Sequence, residues 1–469
     1  LRERESVVML WSKRVYRPVL DRVIDRPRLV GGAAAAMLIV ALASIPLMGR
    51  GFLPEFNEGS LTLEVQTLPG TNLAESNELG RQVETALLAH AEVAAVGRQT
   101  GRATLSEHAI GVEGAEMEVS IDMEQPARLG LPTRTKDELL AAIRRDLAKI
   151  PGIAVQIGQP ISHRIDHMLS GTRAAIAIKI FAPDHDPGGL ARLRQLAQLV
   201  NREIQTVPGV VDPTVEQQAD VPILRISYDR EAIARHGLRV GDVGRELQRA
   251  FAGESVSQIL EGRNAFDLVV RLSEDGRFDE ADIHRLPVST PQGAKIPLGA
   301  LASIRRDAGP NTISRENVQR KISVTCNVAG RDIGSVVADI QQRVAEHVPL
   351  GKTGFEGYYV QYGGQFESAQ AASHMLTALG AAVLLGIALL LHRALGSVRD
   401  TLLVLLNLPL ALIGGVAGVF LSGGVLSIAS LVGFITLFGI ATRNGIILVS
   451  HIRYLQRHEG VATLREAVH

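Results

Sequence analysis

Apolar and polar positions divide this chain into two kinds of sequence. Residues 29–49, 375–391 and 401–442 contain no Asp, Glu, Lys or Arg, whereas most of the charge lies in residues 50–373. A hydrocarbon layer about 30 Å thick calls for roughly 20 apolar residues in a helix, because each residue rises only about 1.5 Å. Leu29 to Gly49 meets that length. The second stretch reaches it with His374 and His392 at its ends, where polar side chains extend to the interface. The third is too long for one span, and Ser422-Gly423-Gly424 divides it. Four spanning helices are therefore predicted at 29–49, 374–393, 401–422 and 426–452, with a basic lead at 1–28 and a closing segment at 453–469.

The charged insert between the first and second spans reads differently. Alternation marks Leu61–Thr67 as a strand, and apolar positions at helical spacing mark Asn72–His90 as an amphipathic helix. Strands follow at Val93–Arg98 and Glu116–Met123, then a helix at Lys136–Ile150 and a strand at Ile153–Ile157. The order βαββαβ predicts a ferredoxin-like split unit. A second unit starts with Ala174–Phe181, Leu190–Val207 and Val210–Val215, and its remaining half is Ile322–Val328, Ile333–Val348 and Tyr358–Tyr362. Ile150-Pro151-Gly152-Ile153 and Val207-Pro208-Gly209-Val210 each close a helix and open a strand, as duplication would leave them. The interruption from Val221 to about Arg306 carries its own strand, helix pair and hairpin. The predicted fold class is a membrane α-helical bundle with an α+β region of two split βαβ units and one inserted module.

Orientation follows the Lys and Arg residues, which are enriched on cytoplasmic flanks. The lead is rich in Arg, the loop between the second and third spans holds Arg393 and Arg399, and Arg453 and Arg457 follow the fourth span. All three are expected inside, which leaves the insert outside or in the periplasm. The balance of 49 basic against 49 acidic residues gives no basic face for nucleic acid. A single cysteine, Cys326, excludes an intrachain disulfide and a cysteine-cluster metal site. The charged lead before an overlong apolar stretch does not fit a cleaved signal peptide, and the lack of a start Met marks the sequence as an expected piece of a longer one.

Phe52-Leu53-Pro54 with Glu58-Gly59 after a span, Leu68-Pro69-Gly70, Arg164-Ile165-Asp166, Val207-Pro208-Gly209-Val210 and Gly363-Gly364-Gln365-Phe366-Glu367 stand in an order that resembles the resistance-nodulation-division (RND) exporters. Within them it resembles the heavy-metal efflux branch, C-terminal half of the pump. The resemblance implies a first porter subdomain at 50–168, a second at 169–218 and 310–366, and a docking subdomain at 219–309. It implies a homotrimer in the bacterial inner membrane, with a periplasmic adaptor protein and an outer-membrane channel, exchanging protons for substrate. The substrate expected is a heavy-metal cation, carried as cargo with no permanently bound cofactor.

Arg443 ends the long uncharged run, yet Asn444 to Ser450 continue it. His451 lies about 12 Å further along at helical rise, too far for easy escape to the interface. A guanidinium at that depth costs a few kcal/mol, roughly 2.5–3.5 on insertion scales, unless it is paired. Burial against a charge partner in the bundle is expected; an arginine that snorkels or sits in a watery crevice is the plainer reading. Ala441-Thr442-Arg443-Asn444 is similar to the family's context for a basic residue on the tenth span that faces carboxylates on the fourth. Those carboxylates lie outside this sequence, and some copper-exporting relatives carry an acidic residue instead.

Copper and silver exporters of this branch use three methionines, and the resemblance places those positions at Glu64, Glu116 and His167. Period-two counting puts Glu64 with Thr62 and Gln66, and Glu116 with Glu118 and Asp122, on the open side of the sheet. Two carboxylates and an imidazole suit a divalent ion such as zinc, cobalt, cadmium or nickel better than monovalent copper or silver. A solvated charged face with an ordinary linker histidine is the plainer reading. A register slip of one would substitute Met117 and Met168 and soften the site; His108 and His163 are further donors. No phosphate-binding loop, zincin helix or nucleophile elbow marks an enzyme. An exporter of organic compounds remains a rival, although Phe, Tyr and Trp supply only 4% of residues for lining its cleft. A non-transporting sensor or translocation subunit on the same spans is the other.

Overall fold

The computed structural model describes residues 7–51, 58–101, 111–170, 174–184, 186, 188–273, 280–461 and 463–468. The first βαββαβ segment forms a four-stranded sheet in the spatial order Val93–Thr100, Gly114–Ile121, Ser60–Thr67, Ile153–Gly158. The strands that carry Glu116 and Glu64 are therefore the inner pair. One face of this sheet packs Leu61, Leu63, Val65, Met117 and Val119 against Val83, Leu87, Leu139, Ile143 and Leu147 of its two helices. Each such side chain, fully buried, contributes about 1.5–3 kcal/mol.

Local chemistry sets the helix starts. Asn72 accepts from Glu75 N at the head of Leu73–Leu88, and Thr135 forms a capping box with Glu138 at the head of Lys136–Leu147. The repeated Pro-Gly pairs are turns of one kind: Gly152 and Gly209 hold φ of +80° and +92°, which only glycine adopts cheaply after a proline.

The second sheet repeats the arrangement. Its order is Val210–Val215, Gln319–Val328, Ile176–Phe181, Tyr359–Gly364, the same as in the first unit when strands are counted along the chain. Ile176, Ile178, Ile180, Ile322, Val324 and Cys326 pack on the helices Gly189–Ile204 and Ile333–His347. Burial pushes the Cys326 thiol up to about 12, so it stays protonated and serves as core filling. The strand begins at Ile176 rather than Ala174.

Residues Gln217–Ile313 form a separate compact unit. Strands Asp220–Tyr228 and Ala302–Pro310 pair antiparallel over a core that includes Ile233, Val243, Ile283 and Leu301. The hairpin Glu254–Glu261 and Asn264–Val270 is solvent-exposed along its whole length, with Val256, Ile259, Leu260 and Phe266 uncovered.

Among the described residues, four helical stretches are long and apolar enough to cross a membrane: Pro27–Leu47, Gln365–Leu395, Val398–Leu421 and Ile428–His458. Their bounds differ from the sequence expectation in all four cases, the fourth helix running from Ile428 to His458, six residues past its expected end. The first apolar run leaves helical geometry after Ser44, because Pro46 removes a backbone donor and a 3-10 turn Ile45–Leu47 closes it. The second helix starts nine residues earlier than expected, at Gln365, immediately after the strand that ends at Gly364. The third is two helices, Val398–Leu405 and Asn407–Leu421, broken near Leu406 just before Pro409. Within the basic lead, Val7–Asp25 is helical.

Glycine lets these helices approach closely. A Cβ on Gly415 would collide with the Phe434 ring, and one on Gly445 would meet Asn407 at 2.5 Å. Outward side chains such as Leu385, Leu389 and Leu390 are exposed, an apolar outer surface that suits a membrane. Gly49–Arg50 pairs in parallel with Val425–Leu426, so the end of the first span and the turn between the third and fourth lie together. At the opposite end, Arg453 pairs with Asp400 and donates to Leu395 O at 3.3 Å, while Arg465 reaches Asp21 and Asp25. Both sets of contacts agree with four crossings in alternating direction.

Candidate metal site and intramembrane arginine

Antiparallel register places Glu64 directly opposite Glu116, Glu116 opposite Gln99, and Glu64 opposite Gln156. Cross-strand partners share a face. The four therefore form one polar row across the middle of the first sheet, with both glutamates half-buried. Carboxylates directly opposite on adjacent strands have Cβ atoms about 4.5–5.5 Å apart, a spacing at which like charges repel and one cation can bridge them.

Gln156 ends the row on an edge strand, where its Nε2 donates to Thr325 Oγ1 of the second sheet at 2.6 Å. Asn327 Nδ2 donates to Ile157 O at 3.0 Å beside it. Arg144 grips Asp212 with two bonds of 2.8 and 2.9 Å, Nε to Oδ1 and Nη2 to Oδ2. Asp212 holds a φ of +52°, a strained setting for a residue with a side chain. These contacts join the two βαβ units at one edge and place the glutamate row beside that joint.

His167 belongs by backbone to the helix Pro160–Ser170, not to a linker. This helix packs against the strand of Glu64, against Tyr359–Gly364 and against Gln365–Leu395. Its start is fixed by Glu58, whose carboxylate accepts from Ile161 N at 2.9 and 3.1 Å, where the helix dipole favours an anion. The side chains of His167 and His163, and all of His108, lie outside the described residues. Among the described residues, no three of His, Cys, Asp and Glu gather at metal-binding distance.

The methionine alternative fails on geometry. Met117 is fully buried among the helix-facing side chains, on the opposite face from Glu116, and Met168 is 79% exposed. A slip of one residue would turn the whole apolar set of the strand outward. Period two located the glutamates' face; it did not foresee that Thr62 on the same face is buried.

Arg443 sits midway along Ile428–His458, between buried Thr442, whose Oγ1 donates to Phe438 O at 2.8 Å, and buried Gly445. The sequence predicts a buried arginine. In this chain its side chain is exposed and makes no ion pair among the described residues, because the described spans pack against the neighbouring Thr442 and Gly445 face.

The AcrB/AcrD/AcrF family description matches residues 2–469. The chain belongs to that family. Among its relatives, the cobalt-zinc-cadmium resistance protein CzcA of Cupriavidus metallidurans is 34% identical over 466 residues, covering 98% of this chain and 42% of CzcA. The cation efflux system protein CusA of Escherichia coli is 30% identical over 441 residues, covering 94% of this chain and 41% of CusA. A crystal structure of a heavy metal efflux pump superposes with a TM-score of 0.78 at 30% identity, covering 99% of this chain and 46% of that one. This member of the AcrB/AcrD/AcrF family thus resembles its heavy-metal efflux branch and spans less than half the length of those relatives.

Proposed function

We propose that this chain is the C-terminal half of a proton-driven pump that exports divalent heavy-metal cations. The observation that carries this reading is the pair Glu64 and Glu116, set face to face at the centre of one sheet in a family whose similar members are named for metal resistance. Glu64, Glu116 and His167 would hold the ion as cargo, and hard or borderline donors favour zinc, cobalt, cadmium or nickel. No resident cofactor is proposed. Arg443 would answer protonation of carboxylates on spans beyond this sequence, and its movement along Ile428–His458 would drive the insert.

The setting is the bacterial inner membrane, with the insert in the periplasm as two porter subdomains, 50–168 and 169–218 with 310–366, and a docking subdomain at 219–309. The partners are two further copies of the pump, a periplasmic adaptor and an outer-membrane channel. The exposed apolar hairpin Glu254–Val270 supports assembly, since an isolated two-stranded ribbon with uncovered Ile259 and Phe266 is stabilised by a partner. Reconstitution of the full-length protein in liposomes under a proton gradient tests the reading. Uptake of Zn²⁺, Cd²⁺, Co²⁺ or Ni²⁺ is expected, and absence of flux for all of them would overturn it.

A further inference from the structure

Helix Val7–Asp25 in the basic lead belongs neither to the insert nor to the four spanning stretches. At about 100° per residue, Trp11, Tyr16, Val19 and Val23 fall within an arc of about 140°. All four are uncovered among the described residues, Trp11 with 67% and Tyr16 with 64% of its surface exposed. By the same count Asp21 and Asp25 lie about 160° and 120° away from Val19. Arg465 of Leu464–Val468 holds both, Nη2 to Asp21 Oδ1 at 3.3 Å and Nη1 to Asp25 Oδ1 at 2.9 Å. The acidic side of the helix is therefore partnered by protein, and the aromatic side is not.

The position of this helix beside the spans selects a bilayer as the cover for that side. The chain runs from Asp25 straight into the spanning stretch Pro27–Leu47, with a break at Arg26 (φ −126°, ψ 54°), the residue before a proline being driven out of helical geometry. The two helices thus do not continue as one rod. Arg465 follows soon after His458, which ends the fourth spanning helix, so its grip on Asp21 and Asp25 fixes the last turn of Val7–Asp25 near the place where that span ends too. Arg22, about 60° from Val19, and Arg26 and Arg28 at the break are exposed and make no ion pair among the described residues. Tryptophan and tyrosine favour the membrane–water interface, and arginines beside a span favour anionic headgroups.

We propose that Val7–Asp25 lies in the headgroup layer with Trp11, Tyr16, Val19 and Val23 toward the acyl chains, and that Arg22, Arg26 and Arg28 gather anionic phospholipid around it. The ligand is the phosphodiester of a lipid rather than free phosphate, because only a lipid also covers the apolar side. The anchor is independent of the ion the pump carries.

Trp11 is the one tryptophan in the sequence, so its fluorescence reports this helix alone. The test places the chain in vesicles containing brominated phosphatidylglycerol or brominated phosphatidylcholine, otherwise matched. Both lipids are expected to quench Trp11, with phosphatidylglycerol enriched at least about fivefold at the helix, the factor one arginine contributes near an anionic surface. Arg22→Gln with Arg26→Gln is expected to bring that ratio toward unity at unchanged helix content, as is salt at about 1 M, where the screening length is only about 3 Å. Equal quenching by the two lipids in wild type, or a ratio that stays high in the variant, would overturn the recognition by these arginines. Absence of quenching by either lipid would overturn the membrane placement. In the full-length protein, with other reactive cysteines replaced, a nitroxide at Val19→Cys is expected to be reached by oxygen and shielded from a water-soluble nickel chelate. Access by the chelate marks water, access by neither marks a protein cover, and each would overturn the proposal.

Discussion

Glu64 and Glu116 stand opposite each other in register on neighbouring antiparallel strands, near the edge where Gln156 and Thr325 join the two sheets. A bridging cation would turn their mutual repulsion into a shared bond. Glu64→Gln and Glu116→Gln are each expected to weaken Zn²⁺ binding by about tenfold or more and to shrink the rise in melting temperature that Zn²⁺ gives. Calorimetry and thermal unfolding with and without Zn²⁺ check this. Full metal resistance in cells carrying Glu64→Ala, Glu116→Ala and His167→Ala together would remove the site.

Arg443 makes no ion pair among the described residues, so its removal leaves the packing of these four helices intact. Arg443→Ala is expected to unfold at the wild-type temperature within this chain, while transport by the full-length pump is lost. Arg443→Lys keeps the charge but not the planar fork, and is expected to transport at a reduced rate. Normal transport by Arg443→Ala contradicts the relay.

Arg144 and Asp212 tie the two βαβ units together, and Asp212 is nearly buried at that joint. Arg144→Ala strands a carboxylate there and is expected to cost about 1–3 kcal/mol. A double-mutant cycle with Asp212→Asn, read by denaturant unfolding, separates the pair from the effect of the left-handed backbone at Asp212.

His90 is 8% exposed, lies 3.3 Å from Asp146 and faces Arg134, which is itself held by Glu92. Burial, aided by the Arg134 charge, holds its pKa below the ordinary histidine value. The unfolded chain therefore binds more protons than the folded one as pH falls below about 6.5, and stability drops in that window. His90→Gln is expected to flatten the slope, as measured by melting temperature between pH 7.5 and 5.5 (about one unit on either side of that value).

Much of this molecule is legible in its sequence because two periodicities do most of the sorting. Alternation along Leu61–Thr67 and Glu116–Met123 chose the correct face for both glutamates, since a strand facing one core has no freedom to turn over. The Pro-Gly repeats marked two turns that the backbone at Gly152 and Gly209 shares. Pairing across the sheet was not legible: nothing local says that position 64 meets position 116, because register is fixed by packing between distant segments. Nor was the helix around His167 visible. Its eleven residues carry a start signal, Glu58, from outside their own stretch. Cooperation between Arg144 and Asp212, 68 positions apart in sequence, is of the same nonlocal kind.

The two-residue ladder between Gly49–Arg50 and Val425–Leu426 begins a chain of contacts. Leu426 immediately precedes Ser427, the N-cap of the helix that carries Arg443, and Gly49 lies so near Asp332 that an added Cβ would come within 2.7 Å of it. Asp332 in turn caps Ile333–His347, which is rooted in the core of the second sheet. Four short links thus run in unbroken contact from the start of the helix that carries Arg443 to the root of a helix in the second sheet.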